Sequence, residues 1–199
     1  ANYGSNNVSK LTSDGTSNIF GATGSSPVEI AIDAAGNVYT ANSLSNDVSK
    51  ITTDGISTIL GTTGSRPFGL ALDTAGNVYT ANHDSNNVSK ITPDGTSSIL
   101  GTTGSAPYGI ALDAAGNVYT ANYGSNNVSK IAPDGTSSIL GTTGSFPAGI
   151  AIDAAGNVYT ANYDSNNVSK ITPASTVSYP ATGDTSPITI TGLTNGTEY

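Results

Sequence analysis

The chain has no cysteine, no methionine and no tryptophan among its 199 residues. The missing cysteine excludes a disulfide framework and thiol chemistry. Positive charge is also scarce: six Lys and Arg stand against 14 Asp and Glu, for a formal net charge of −8. Recognition of phosphate backbones needs clustered cations, so nucleic acid is not an expected partner. No apolar run approaches the length of a bilayer span, and membrane insertion is not expected. No leader segment is visible, and the start at Ala1 reads as a processed or excised chain. With charged residues at 10%, the surface must be built from Ser, Thr, Asn and Gly. That composition is associated with an extracellular or cell-surface protein.

What the chain does have is a period. GIALDAAGNVYTAN at Gly109–Asn122 returns as GIAIDAAGNVYTAN at Gly149–Asn162, and close copies begin at Gly69 and Glu29. SNNVSK begins at Ser5, Ser85, Ser125 and Ser165, with SNDVSK at Ser45, so the spacing is constant, without insertion or deletion. Even the cations obey it: Lys10, Lys50, Lys90, Lys130 and Lys170 are one repeated position. A strict period of this size marks a supersecondary unit stacked on copies of itself, because one unit alone cannot bury its apolar face. The repeats run 1–40, 41–80, 81–120, 121–160 and 161–199, with a divergent tail from residue 174.

Within a period, four short runs read as strands: Tyr108–Asp113, Asn117–Asn122, Asn87–Thr92 and Thr96–Leu100. All are rich in Ile, Val, Tyr and Thr, and none has helical spacing. Asp113-Ala-Ala-Gly116-Asn117 and Pro93-Asp94-Gly95 supply the tight turns. Gly101–Pro107 is a longer loop to the next unit. Four antiparallel strands per period predict an all-β fold, the blade of a β-propeller. A β-solenoid is the rival, but its coils run shorter and the two halves of this unit differ.

The string carried by Pro107, Gly109, Asp113, Gly116-Asn117, Val118-Tyr119, Asn126-Asn127-Val128 and Asp134-Gly135 resembles the NHL-repeat propellers. It is also similar to the blades of the streptogramin (virginiamycin B) lyases. The resemblance spans about residues 1–173 and implies a propeller used more often for binding than for catalysis. It departs at Asn42, Asn82, Asn122 and Asn162, where the family commonly has an acidic residue.

The tail fits the period. Ser186-Pro187 lies four whole periods after Ser26-Pro27, and Tyr199 answers Tyr39. This predicts five blades, the last assembled from residues 188–199 and 1–20, which would remove sheet edges. The string SPITITGLTNGTEY also resembles part of a fibronectin type III domain, which gives the tail a second reading, after ring closure, as the start of a following domain.

Catalytic groups are few. His83 is the only histidine, Glu29 and Glu198 are the only glutamates, and no nucleophile elbow is present. The catalytic His and Glu of the lyases have no counterpart, and the chain is expected not to be an enzyme and to need no cofactor. A metal-dependent lyase or lactonase is the enzymatic alternative. Asp33, Asp73, Asp113 and Asp153 form a repeated acidic position, read first as turn caps and second as oxygen ligands for a cation. Asn7, Asn87, Asn127, Asn167 and Asn195 match the glycosylation pattern, and the first four read as turn formers.

Differences between repeats point to a site. Periods three and four differ at His83/Tyr123, Asp84/Gly124, Thr92/Ala132, Ala106/Phe146, Tyr108/Ala148 and Leu112/Ile152. Most of these flank two loops that antiparallel order places at one end of the propeller. That end is expected to carry Tyr3, Arg66, Phe68, His83, Asp84, Tyr108, Tyr123, Phe146 and Tyr163. Tyr, Phe and Arg dominate interface hot spots. The expected role is a binding module for a protein or glycan at this face. The alternatives are variation without function there, and a structural repeat that associates with itself in a surface assembly or fibre.

Overall fold

The computed structural model describes residues 1–172, 177–178 and 189–190. It is a set of antiparallel sheets in strict succession. The first pairs β1 (Asn7–Leu11) with β2 (Ser17–Ala22). Three complete sheets follow. The strands of the first are β3 (Pro27–Ile32), β4 (Val38–Asn42), β5 (Asp47–Ile51) and β6 (Ser57–Thr62). The next holds β7 (Pro67–Leu72), β8 (Val78–Asn82), β9 (Asn87–Ile91) and β10 (Ser97–Thr102). The third holds β11 (Pro107–Leu112), β12 (Val118–Asn122), β13 (Asn127–Ile131) and β14 (Ser137–Thr142). The last sheet in this series joins β15 (Pro147–Ile152), β16 (Val158–Asn162) and β17 (Asn167–Ile171).

Each complete sheet is a meander in chain order, so the expected blade is what forms. The turns come from the residues that the pattern marks. Asp113 N–H donates to Asn117 O at 3.1 Å, with Gly116 at φ 80°. Thr92 N–H donates to Thr96 O at 2.9 Å across Pro93-Asp94-Gly95. The fourth strand runs further than the sequence reading has it, through Thr102. A bulge at Leu100, between Ile99 and Gly101, takes up one extra residue and lets the pairing continue.

The core lies between sheets. Val48 and Ala41 of one blade pack with Leu70, Val78 and Ile91 of the next, and Tyr79 and Val88 with Val118 and Ile131. This is why VYTAN is buried along its whole length in the second strands of the complete blades. A strand covered on both faces needs no polar alternation. The repeated lysine lies over an aromatic ring: Lys130 Nζ sits 5.7 Å from the centroid of Tyr119, its register partner. The ammonium over the ring face is attracted by the ring's quadrupole.

The expected closure is not seen in the described part of the tail. Thr189–Ile190 (β19) pairs with Val177–Ser178 (β18), not with β1. The β1–β2 sheet has no third strand among the described residues. Among the described residues Thr189 and Ile190 form a separate two-stranded sheet with Val177 and Ser178 and do not extend the first sheet. The rest of the predicted closing strand, and Asn195, lie outside the described residues.

Candidate functional site

One polar network recurs in every complete blade and fixes the loop end. Asn122 is fully buried. Its Nδ2 donates to Asn127 Oδ1 at 2.7 Å and to Ser129 Oγ at 2.8 Å, and its Oδ1 accepts from Thr120 Oγ1 at 2.8 Å. Ser129 Oγ also accepts the Gly104 N–H at 2.9 Å, which ties the loop after β10 to the blade that follows. Gly104 is required by this approach: a Cβ there would lie 2.5 Å from Asn127 Oδ1 and 2.7 Å from Asn122 Nδ2. A neutral amide, donor and acceptor together, thus occupies the position where the resemblance leads one to expect an acid. Asn127 belongs to this network. The left-handed turn residue is its neighbour Asn126, at φ 53°, one position earlier than the sequence reading places it.

A second device aims the variable side chains. Arg66, Ala106 and Phe146 precede the Pro that opens each blade, and all have positive φ, from 51° to 55°. Left-handed backbone costs an L-residue about 1–2 kcal/mol. Here it is held from both sides. Asn126 Oδ1 accepts the Phe146 N–H at 2.8 Å, and Phe146 O accepts the Tyr163 N–H at 2.9 Å. Two residues on, the first strand carries a bulge, at Phe68 between Pro67 and Gly69 and at Tyr108 between Pro107 and Gly109. A bulge re-aims the extra residue away from the ladder.

The outcome is a row of stacked side chains on the loop end. The Arg66 guanidinium lies 5.3 Å from the Phe68 ring. Phe68 stacks on Tyr108 at 4.9 Å and 13°, and meets His83 edge-on at 5.0 Å. Tyr108 lies 6.0 Å from Tyr123, which stacks on Phe146 at 4.6 Å and 16°. Each such pair contributes about 0.5–1.5 kcal/mol beyond burial. Asp84 closes one end, 2.6 Å from His83 Nδ1 and 3.5 Å from Arg66. The bond from His83, aided by the Arg66 charge, holds the Asp84 carboxyl below its ordinary range. The structure therefore brings together Arg66, Phe68, His83, Asp84, Tyr108, Tyr123 and Phe146. Tyr3 and Tyr163 are exposed and, among the described residues, stack on none of these rings.

Beside the row lies a cavity of about 390 Å³ at the centre of the blades, and Tyr108 lines both. Its walls are Leu70, Ile110 and Ile150, with Gly69, Gly109 and Gly149 at a repeated position. Glu29 occupies that position in the first complete blade and places the cavity's one carboxylate there, among the described residues. The sequence reading gives Glu29 no role at the site. Its signal is the exchange of Glu for Gly in an otherwise constant segment.

The repeated aspartates are turn caps. Asp113 Oδ1 accepts from Ala115 and Asn117 N–H, and Oδ2 from Asn117 Nδ2 and Tyr119 Oη at 2.7 and 3.0 Å. Partial burial raises the Asp113 carboxyl, but these bonds outweigh it and hold it below the usual value. Burial and the bond to Asp113 push the Tyr119 phenol up to about 12.

A model described as the virginiamycin B lyase family matches residues 1–197. The chain belongs to this family. Solved structures agree on the fold. Selenomethionine-substituted virginiamycin B lyase from Staphylococcus aureus superposes with a TM-score of 0.70 at 19% identity, over 85% of this chain and 64% of that one. A catalytically inactive variant of the lyase from the same organism, crystallised with quinupristin, gives 0.66 at 23% identity, over 85% and 56%. A nidogen/laminin complex gives 0.68 at 20% identity, over 82% and 66%. The chain thus spans less than two thirds of the length of these lyases. A search among curated proteins gives no match. As a member of the virginiamycin B lyase family, the chain has a β-propeller architecture.

Proposed function

We propose that this lyase-family propeller is a recognition module that binds a protein or glycan on its loop end. One observation carries the reading. The stacked row from Arg66 to Phe146 is assembled from the few positions that vary on a constant scaffold, and it rests on left-handed and bulged backbone. Strained backbone that displays variable aromatic side chains supports function over variation without function. The nidogen/laminin structure is a precedent for a similar fold in a protein complex. The Cys-free, low-charge composition supports an extracellular setting. Glycan and extracellular-protein arrays probed with the intact chain test this. Tyr108→Ala combined with Tyr123→Ala should remove every hit, while Tyr3→Ala should retain them. Hits that survive the double variant would refute the reading.

Family membership favours a second reading, a lyase, the enzymatic alternative of the sequence reading. The His83–Asp84 pair beside Arg66 is the one acid–base constellation on the same end, among the described residues. Incubation with quinupristin, with and without divalent cations, tests it. Loss of quinupristin that no longer occurs in His83→Ala would favour catalysis.

A further inference from the structure

We propose that the cavity at the centre of the blades binds a small molecule that carries a protonated amine on an apolar skeleton, with the Glu29 carboxylate as its counter-ion. The site is separate from the stacked row on the loop end and does not depend on that row's role. Leu70, Ile110 and Ile150 wall it, and its volume of about 390 Å³ is that of a small-molecule site.

Packing does not account for Glu29. A Cβ at Gly69 would lie 2.4 Å from Tyr108 O, and one at Gly109 would lie 2.3 Å from Ala148 O, so only glycine closes those two seams. At the same position of the first complete blade the chain carries a long acidic side chain, which lines the cavity and is exposed. Its charge is unmatched. Among the described residues it accepts one hydrogen bond, from the N–H of Ile30 next to it at 3.2 Å. The cations of this sequence are engaged elsewhere. Each Lys Nζ stands 5.6–5.7 Å from the centroid of an aromatic ring in its own sheet. Arg66 and His83 share Asp84. Residues 173–199 contain no Lys, Arg or His, so none comes from the tail.

The class of ligand follows from these walls. A hard metal ion wants about six oxygens, and no group of three acidic or imidazole side chains stands together among the described residues. An ammonium needs one carboxylate, through a charge-assisted hydrogen bond. Its carbon skeleton would lie against the three aliphatic side chains, which offer a polar ligand nothing.

Ligand-observed NMR titration of the full chain with 3-phenylpropylammonium tests the proposal, at about 0.15 M salt to screen the net negative charge. Binding should saturate. The neutral probe of the same shape, 3-phenylpropanol, should bind about tenfold more weakly. Glu29→Gln should weaken the ammonium by a similar factor and leave the alcohol as it was. Asp54→Asn removes the same charge from an exposed turn and should bind as the parent does. Circular dichroism should show both variants folded, because both side chains are exposed. A parent chain with no saturable binding overturns the proposal. So does equal affinity for the two probes, full affinity in Glu29→Gln, or an equal loss in Asp54→Asn.

Discussion

Asn126 holds Phe146: its side-chain oxygen accepts the Phe146 N–H at 2.8 Å, from the preceding blade's loop. The same bond joins Asn6 to Ser26, Asn46 to Arg66 and Asn86 to Ala106. Each Asn is itself left-handed, a conformation that Asn tolerates better than most residues. Asn126→Ala removes the acceptor and puts a Cβ-bearing residue with no local hydrogen bond in that backbone. Urea unfolding should show a loss of about 1–3 kcal/mol. Asn126→Gly restores the backbone but not the bond, and should recover only part of that loss.

The backbone ahead of each blade opposes the side chain it carries. Ala106 sits at φ 51° with no aromatic contact to lose. Ala106→Gly relieves about 1–2 kcal/mol of left-handed strain and adds about 0.5–1 kcal/mol of unfolded-state entropy. The variant should be more stable by about 0.5 kcal/mol, read as a higher denaturation midpoint at unchanged slope. A destabilised variant would show that the clasp has already removed the strain.

Gly104 makes the opposite case. Its missing side chain lets the loop close on Asn127 and Ser125, and a Cβ would lie 2.5 Å from atoms of both. Gly104→Ala should cost about 2–4 kcal/mol, through overpacking and loss of the Ser129 bond. Thermal melts of the Ala variants at Gly104 and at exposed Gly4 give the comparison, and Gly4→Ala should melt as the parent does.

The Asp–Tyr pairs set a pH window. Burial and the bond to Asp push Tyr39, Tyr79 and Tyr119 up to about 12, from an ordinary value of 10.0. In the folded state these phenols keep their protons longer than in the unfolded chain. Their contribution is whole below pH 10 and is lost as pH rises through 12. Asp73 and Asp113 lie below their ordinary value despite partial burial, through their Asn and Tyr bonds, so their contribution is whole above about pH 4 and falls in acid. Stability should form a plateau between those limits. Tyrosinate absorbance should show a late-titrating set, and Asp113→Ala should make one of its members titrate earlier while burial still holds it above the ordinary value.

The blade was legible because its signals are local. The runs of Ile, Val, Tyr and Thr, the Asp-Ala-Ala-Gly-Asn and Pro-Asp-Gly turns and the strict period all act within one repeat. The loop-end cluster was legible too, because difference between copies marks it. What escaped was contact between repeats. Asn126 and Asn127 look alike in the string, yet one clasps Phe146 and the other enters the Asn122 network, which depends on which way each faces a neighbouring loop. The pairing of Thr189–Ile190 escaped for a different reason: periodic spacing alone does not say which edge a strand will choose. Tyr163 sits in the variable column but lacks a following blade to stack on among the described residues, and it stays exposed.

The seams have a consequence for how such a chain changes length. Val88 packs with Ile131 as Val128 does with Ile171. Excision of the segment 91–130, one whole period, would therefore bring Val88 against what is now Ile171, with both partners unaltered. Unequal recombination between copies can add or remove units in this way with every junction native, so the number of units is free to drift while the unit itself is held constant.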